Sequence, residues 1–212
     1  MVIERIFLPA AFSIIVSASC LAVPTGRVNF TPPLKSAKTI QVTETIWEAG
    51  DGSTPGPLRK VGTITFCIAR PDKFRVEMKS GSPPKVTDSY VSDGETLVGL
   101  SGGRTRTQPA QRAEWPFPVM GLLNNAPGPV SAVPAVRDGK QVLLTIRVLG
   151  PTGRQEAWFD PSTHLLIRDM MFMTWQGKTS EVMRTEYAGW ILNKPLAASV
   201  FRVPSVGTHH KS

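Results

Sequence analysis

The chain has 212 residues, 41% of them apolar and 19% charged, a mix that excludes a disordered polymer and a multi-span membrane protein. Its 24 Lys and Arg outnumber 16 Asp and Glu, giving a formal net charge of +8. Two cysteines exclude a disulfide framework and a four-cysteine metal site, and the length fits one domain that buries its own core.

The first 22 residues read as an address. Arg5 supplies a charged start, residues 6–16 are mostly apolar, and residues 17–22 are mostly small. That is the three-part pattern of a secretory signal peptide, and the apolar run is too short for a spanning helix. Cleavage after Ala22 is one expected route. Ala18-Ser19-Cys20 also resembles the end of a bacterial lipobox, which makes Cys20 a candidate lipidated N-terminus; the residues leave both routes open. Either way the expected location is periplasmic. Pro24, Pro32 and Pro33 mark residues 23–37 as a Pro-rich linker ahead of a domain at 38–207, with a polar tail at 208–212.

Beyond the linker the chain reads as strand after strand. Ile40, Val42 and Ile46 alternate with Gln41, Thr43 and Thr45; Phe74, Val76 and Met78 alternate with Arg75 and Glu77. Further strands are predicted at 61–69, 88–92, 96–100, 105–108, 130–136, 142–148, 155–159, 165–175 and 179–187. Between them stand turn signals: Arg70-Pro71-Asp72-Lys73, Asp93-Gly94, Gly102-Gly103, Asp138-Gly139, Asp160-Pro161 and Gln176-Gly177. Short turns between about ten strands predict an antiparallel sheet or barrel. Residues 109–129 break the rhythm. They are bounded by prolines and carry Trp115, Phe117, Met120, Leu122 and Leu123, which suits a short helix or lid-like loop.

Specific residues then resemble a family. Ile64-Thr65-Phe66-Cys67-Ile68-Ala69-Arg70-Pro71-Asp72-Lys73-Phe74, followed by Val91-Ser92-Asp93-Gly94-Glu95-Thr96-Leu97, is similar to the central signature of the LolA-like periplasmic lipoprotein carriers. Phe159-Asp160-Pro161 resembles their late Asp-Pro hairpin, and Pro195-Leu196 through Phe201-Arg202-Val203-Pro204 their C-terminal segment, in which a Phe enters the last strand. The resemblance implies a mainly β fold with minor α: an incomplete antiparallel β-barrel, a strongly curved sheet with a short helical lid over its concave apolar face. It implies a non-catalytic protein that holds a lipid or the acyl chains of a lipoprotein. The family's long N-terminal amphipathic helix has no counterpart here, because the prolines and weak periodicity of residues 23–37 argue against one.

By the same resemblance Arg70 is the gating residue, bonding to lid backbone through its several donors. Phe74, Val76, Met78, Met171 and Met173 are candidate cavity walls, with Trp115, Phe117, Met120, Leu122 and Leu123 as cavity or lid. Alternation in the run at 170–175 sends Met171 and Met173 to one face and Met170, Phe172 and Thr174 to the other. Expected partners are a lipid or acylated lipoprotein and an inner- or outer-membrane surface or membrane transport complex; export disfavours nucleic acid, and a monomer is expected. An envelope sensor or protein-interaction domain of the same fold is the alternative.

Enzyme readings fit less well. Gly99-Leu100-Ser101-Gly102-Gly103 matches a nucleophile-elbow pattern, but a returning strand is predicted where a helix is required. The three histidines are scattered, with His209 and His210 in the tail, so no metal or cofactor is expected. Asp72, Asp93 and Asp160 suit turn chemistry better than acid–base work. Cys67 reads as a small hydrophobe in a strand.

Overall fold

A computed structural model describes residues 26–31, 33–50, 56–110 and 130–204. They form twelve strands: β1 (Val28–Phe30), β2 (Thr39–Ala49), β3 (Leu58–Ala69), β4 (Lys73–Ser80), β5 (Lys85–Asp93), β6 (Thr96–Ser101), β7 (Arg104–Pro109), β8 (Val130–Arg137), β9 (Lys140–Val148), β10 (Gly153–Phe159), β11 (Leu166–Trp175) and β12 (Lys178–Leu192). All belong to one antiparallel sheet in the order β1-β8-β9-β10-β11-β12-β2-β3-β4-β5-β6-β7, which does not close into a barrel. The only helical pieces among the described residues are 3-10 turns at Pro33–Lys35 and Ala198–Phe201. The expected helical lid falls on residues outside the described set, as do Cys20 and the whole expected signal peptide.

Local chemistry accounts for most of the meander. Asp138 and Gly139 both adopt positive φ, 49° and 72°, the pair of left-handed residues that a two-residue hairpin turn matched to strand twist requires. Asp93 Oδ1 accepts from the Glu95 and Thr96 amides, and these bonds hold its carboxyl below the usual range. Asp160 Oδ1 accepts from the Ser162 hydroxyl and the Thr163 amide, and its pKa falls to about 2. Both aspartates therefore act as turn residues, as their sequence context indicates. Arg70-Pro71 is a cis peptide.

Two pairings are not local. β12 joins β2 in register Tyr187↔Glu44, and β1 joins β8 in register Asn29↔Ser131. The stretch read as a linker thus supplies an edge strand. Phe30, Leu34 and Ala37 are all buried in the main core, with Ile40, Val42, Phe66, Ile68, Phe74, Val76, Phe159 and Tyr187. Nor does the C-terminal segment follow the resemblance. Phe201 sits in a 3-10 turn rather than a strand, and Arg75 Nη1 ties that turn to β4 by donating to the Val200 carbonyl at 3.4 Å.

The opposite face carries a smaller cluster of Val142, Leu144, Trp158 and Met170. Arg168 lies 4.6 Å over the Trp158 ring and pairs with Asp138 and Glu186 at 2.7 and 3.1 Å; Arg154 lies 4.5 Å over Phe172. The alternation read for residues 170–175 holds, since Met170 and Phe172 pair with Glu156 and Arg154 while Met171 pairs with Gln155.

Gly62, opposite Ile46 and Ser80, sits where the backbone leaves no room for a side chain: a Cβ there would stand 2.5 Å from the Lys79 carbonyl oxygen. Gly62→Ala is therefore expected to cost about 1–3 kcal/mol through forced strand separation. Urea unfolding checks this, and an unchanged midpoint would show that the strand yields freely.

Candidate functional site

Strand register lays three rows of side chains across the core face, each running from β2 to β7. They are Ile40–Ile68–Phe74–Ser92–Leu97–Gln108, Val42–Phe66–Val76–Tyr90–Gly99–Arg106, and Glu44–Ile64–Met78–Asp88–Ser101–Arg104. Because side chains alternate faces along a strand, every member of a row projects to the same side. Each row changes character along its length. It is apolar and buried over most of β2–β4, mixed on β5 and β6, and polar and exposed on β7.

Of the residues singled out from sequence, Phe74 and Val76 are buried in the main core, and Met78 packs at its margin. Met171 and Met173 occupy the same face of the sheet, but farther along β11 and outside that core, with Met173 44% exposed. Trp115, Phe117, Met120, Leu122 and Leu123 lie outside the described residues. Arg70 Nη2 donates to the Leu34 carbonyl at 3.0 Å, and its amide to the Lys38 carbonyl at 2.9 Å. Its guanidinium thus grips the 3-10 turn at Pro33–Lys35. Cys67 is half-buried and burial pushes its thiol up, so it stays protonated.

Two features escaped the sequence reading. The first is a buried polar group between the core and the Met171–Met173 stretch. Glu44 is 2% exposed and Tyr187, its cross-strand neighbour, 7%; among the described residues neither Glu44 Oε1 nor the Tyr187 hydroxyl has a hydrogen-bond partner. Asp169 stands on the same face, and Gln155 Nε2 donates to both its carboxylate oxygens at 2.9 and 2.8 Å. Burial first, and the Asp169 charge second, raise the Glu44 pKa to about 8. Burial also raises Asp169 against the Gln155 bond, and raises the Tyr187 phenol well above its ordinary value. The signal was present: Glu44 is in phase with Ile40, Val42 and Ile46, so the alternation already puts it on the apolar face.

The second is a cavity of about 410 Å³ at the β5–β7 end of the rows, lined by Tyr90, Leu97, Gly99, Ser101, Arg104, Arg106 and Gln108. A Cβ at Gly99 would meet two Tyr90 ring carbons at 3.1 Å, so the absence of a side chain there lets the ring lie across β6. A smaller cavity of about 340 Å³ lies between Lys73 and Asp93 and the turn at Phe201. Ser101 is followed by a tight turn and strand β7 rather than a helix, the context expected for it. Among the described residues no group of three or more His, Cys, Asp or Glu is placed to hold a metal ion. No protein-family model and no curated protein matches the chain.

Proposed function

We propose that this chain is an exported, non-catalytic protein that holds an acyl chain, of a lipid or of a lipoprotein, against its core face. The observation that carries this reading is the continuity of that face. Apolar rows on β2–β4 run through Tyr90 and Leu97, both packed against the core, into a cavity of about 410 Å³. A cavity of this size, walled by Tyr90 and Leu97 on one side and by polar groups on the other, suits one end of a small amphiphile. Each buried methylene contributes about 0.8 kcal/mol, so enclosing about eight of them supplies roughly 6 kcal/mol toward binding. In this reading the open sheet is the concave wall of an incomplete barrel, and residues 109–129 supply the lid that the family resemblance calls for. Arg70 serves as a latch: releasing the Leu34 carbonyl would free the turn that covers the core.

Native mass spectrometry of the exported full-length protein tests this. A co-purifying mass that fragments as a lipid or an acylated peptide is expected, together with uptake of added long-chain fatty acid by delipidated protein. A clean apo mass with no uptake would overturn it. The same spectrum reads the state of Cys20. One observation favours the alternative, an envelope sensor or interaction domain. Ile146, Val148 and Trp175 are large apolar side chains left exposed toward one end of β9 and β11, Trp175 by 61% and Val148 by 74%. Apo protein that fails to take up fatty acid yet captures a defined envelope protein through Trp175 would establish that reading.

A further inference from the structure

We propose that the cavity between β5, β6 and β7 is the head-group end of the acyl site, and that it takes an anion, a phosphate or carboxylate, carried by an amphiphile. This deepens the proposed function and rests on it. Arg104 and Arg106 are two residues apart on β7, so both guanidinium groups stand on the core face. Both are exposed on an edge strand, and among the described residues neither has a carboxylate partner. The nearest acidic residue in their rows, Asp88, is two strand spacings from Arg104, roughly 10 Å. Two like charges side by side repel, and an anion between them turns that repulsion into paired charge-assisted hydrogen bonds, for which guanidinium geometry is suited. Ser101 and Gln108 add neutral donors at the same end.

The apolar half of the argument is what selects an amphiphile over a bare ion. The row that ends in Arg106 begins with Val42, Phe66 and Val76 and passes beneath the Tyr90 ring. A molecule entering the cavity would place its charge between the arginines and its tail against Tyr90 and Leu97, pointing toward that packed hydrocarbon. Neither a free phosphate nor a polyanion would use the apolar stretch.

Three probes tested by calorimetry at low salt separate the possibilities: a monoacyl glycerol phosphate, the monoacyl phosphocholine of the same chain length, and glycerol 3-phosphate. The wild-type chain is expected to bind the anionic amphiphile about tenfold or more tightly than the zwitterionic one. In the Arg104→Gln/Arg106→Gln variant the two affinities should converge, the loss falling mainly on the anionic amphiphile. A charge-matched Lys140→Gln/Lys178→Gln control should keep the gap, which excludes a general effect of net charge. Both arginines are exposed on an edge strand, so the variant is expected to fold; salt titration of the wild-type gap, which should shrink with screening, needs no variant at all. Equal wild-type affinities, or a gap that survives in the arginine variant, would overturn the head-group assignment while leaving the acyl reading intact. Failure of both amphiphiles to bind would overturn both. Glycerol 3-phosphate binding as tightly as its acylated form would keep the arginines as an anion site and sink the acyl reading.

Discussion

Glu44→Gln is expected to stabilise the protein by about 4 kcal/mol at pH 8 and by little at pH 4. The carboxyl titrates near 8 in the folded chain against an ordinary 4.5. Between those values the unfolded chain has lost the proton and the folded chain has kept it, so stability falls as pH rises through this window. Below pH 4.5 both states are protonated and the contribution vanishes. Glutamine has nearly the same shape, carries no charge at any pH, and can donate toward the Tyr187 hydroxyl. The groups that face Glu44 are Asp169 on β11 and Tyr187 on β12; Asp169 remains in the variant, and its own raised pKa leaves a residual slope of the same sign. Urea unfolding of both proteins at pH 4, 6 and 8 is the measurement. Parallel stability profiles would show that Glu44 ionises normally and is not the buried carboxyl described. The result also bears on function: a Glu44 that stays mostly protonated at neutral pH keeps the core face free of its charge, as an apolar ligand requires.

The strands were legible because each one carries its own period. Residues 40–47, 74–78 and 170–175 sort by alternation into two faces, and turns such as Asp138-Gly139 announce themselves by residue type alone. What joins distant parts was not legible. No local pattern tells β2 to pair with β12, and that pairing is what brings Glu44 beside Tyr187 and Asp169. Arg104 and Arg106 were visible as a basic group, but only the register of β6 with β7 puts them on the core face beside Tyr90 and Leu97. The resemblance pointed to Arg70 and Phe74, and the structure puts the first on a backbone carbonyl and the second in the packed core. Met171 and Met173 share that face but lie beyond the polar group around Asp169. A face assignment from alternation does not set position along the strand.

The second large effect concerns the stretch that composition marked as a linker. Phe30→Ala is expected to cost about 3–5 kcal/mol, the usual range for emptying a packed aromatic site. Phe30 ends β1, is 3% exposed, and meets the Phe159 ring edge-on at a centroid distance of 4.9 Å. Its neighbours Leu34 and Ala37 are buried in the same core, and Arg70 holds the intervening turn through the Leu34 carbonyl. Prolines misled the reading because they do bar a helix, yet a three-residue edge strand and a single 3-10 turn need no run of backbone amides. A residue in a true linker would change stability by no more than about 0.5 kcal/mol. Total stability of a domain this size is about 5–15 kcal/mol, so the two readings differ by an amount that equilibrium unfolding resolves easily. The Phe30→Ala/Phe159→Ala double-mutant cycle sharpens the test. A coupling of about 0.5–1.5 kcal/mol is expected for an edge-on aromatic pair, whereas additive effects would place Phe30 outside the cooperative core.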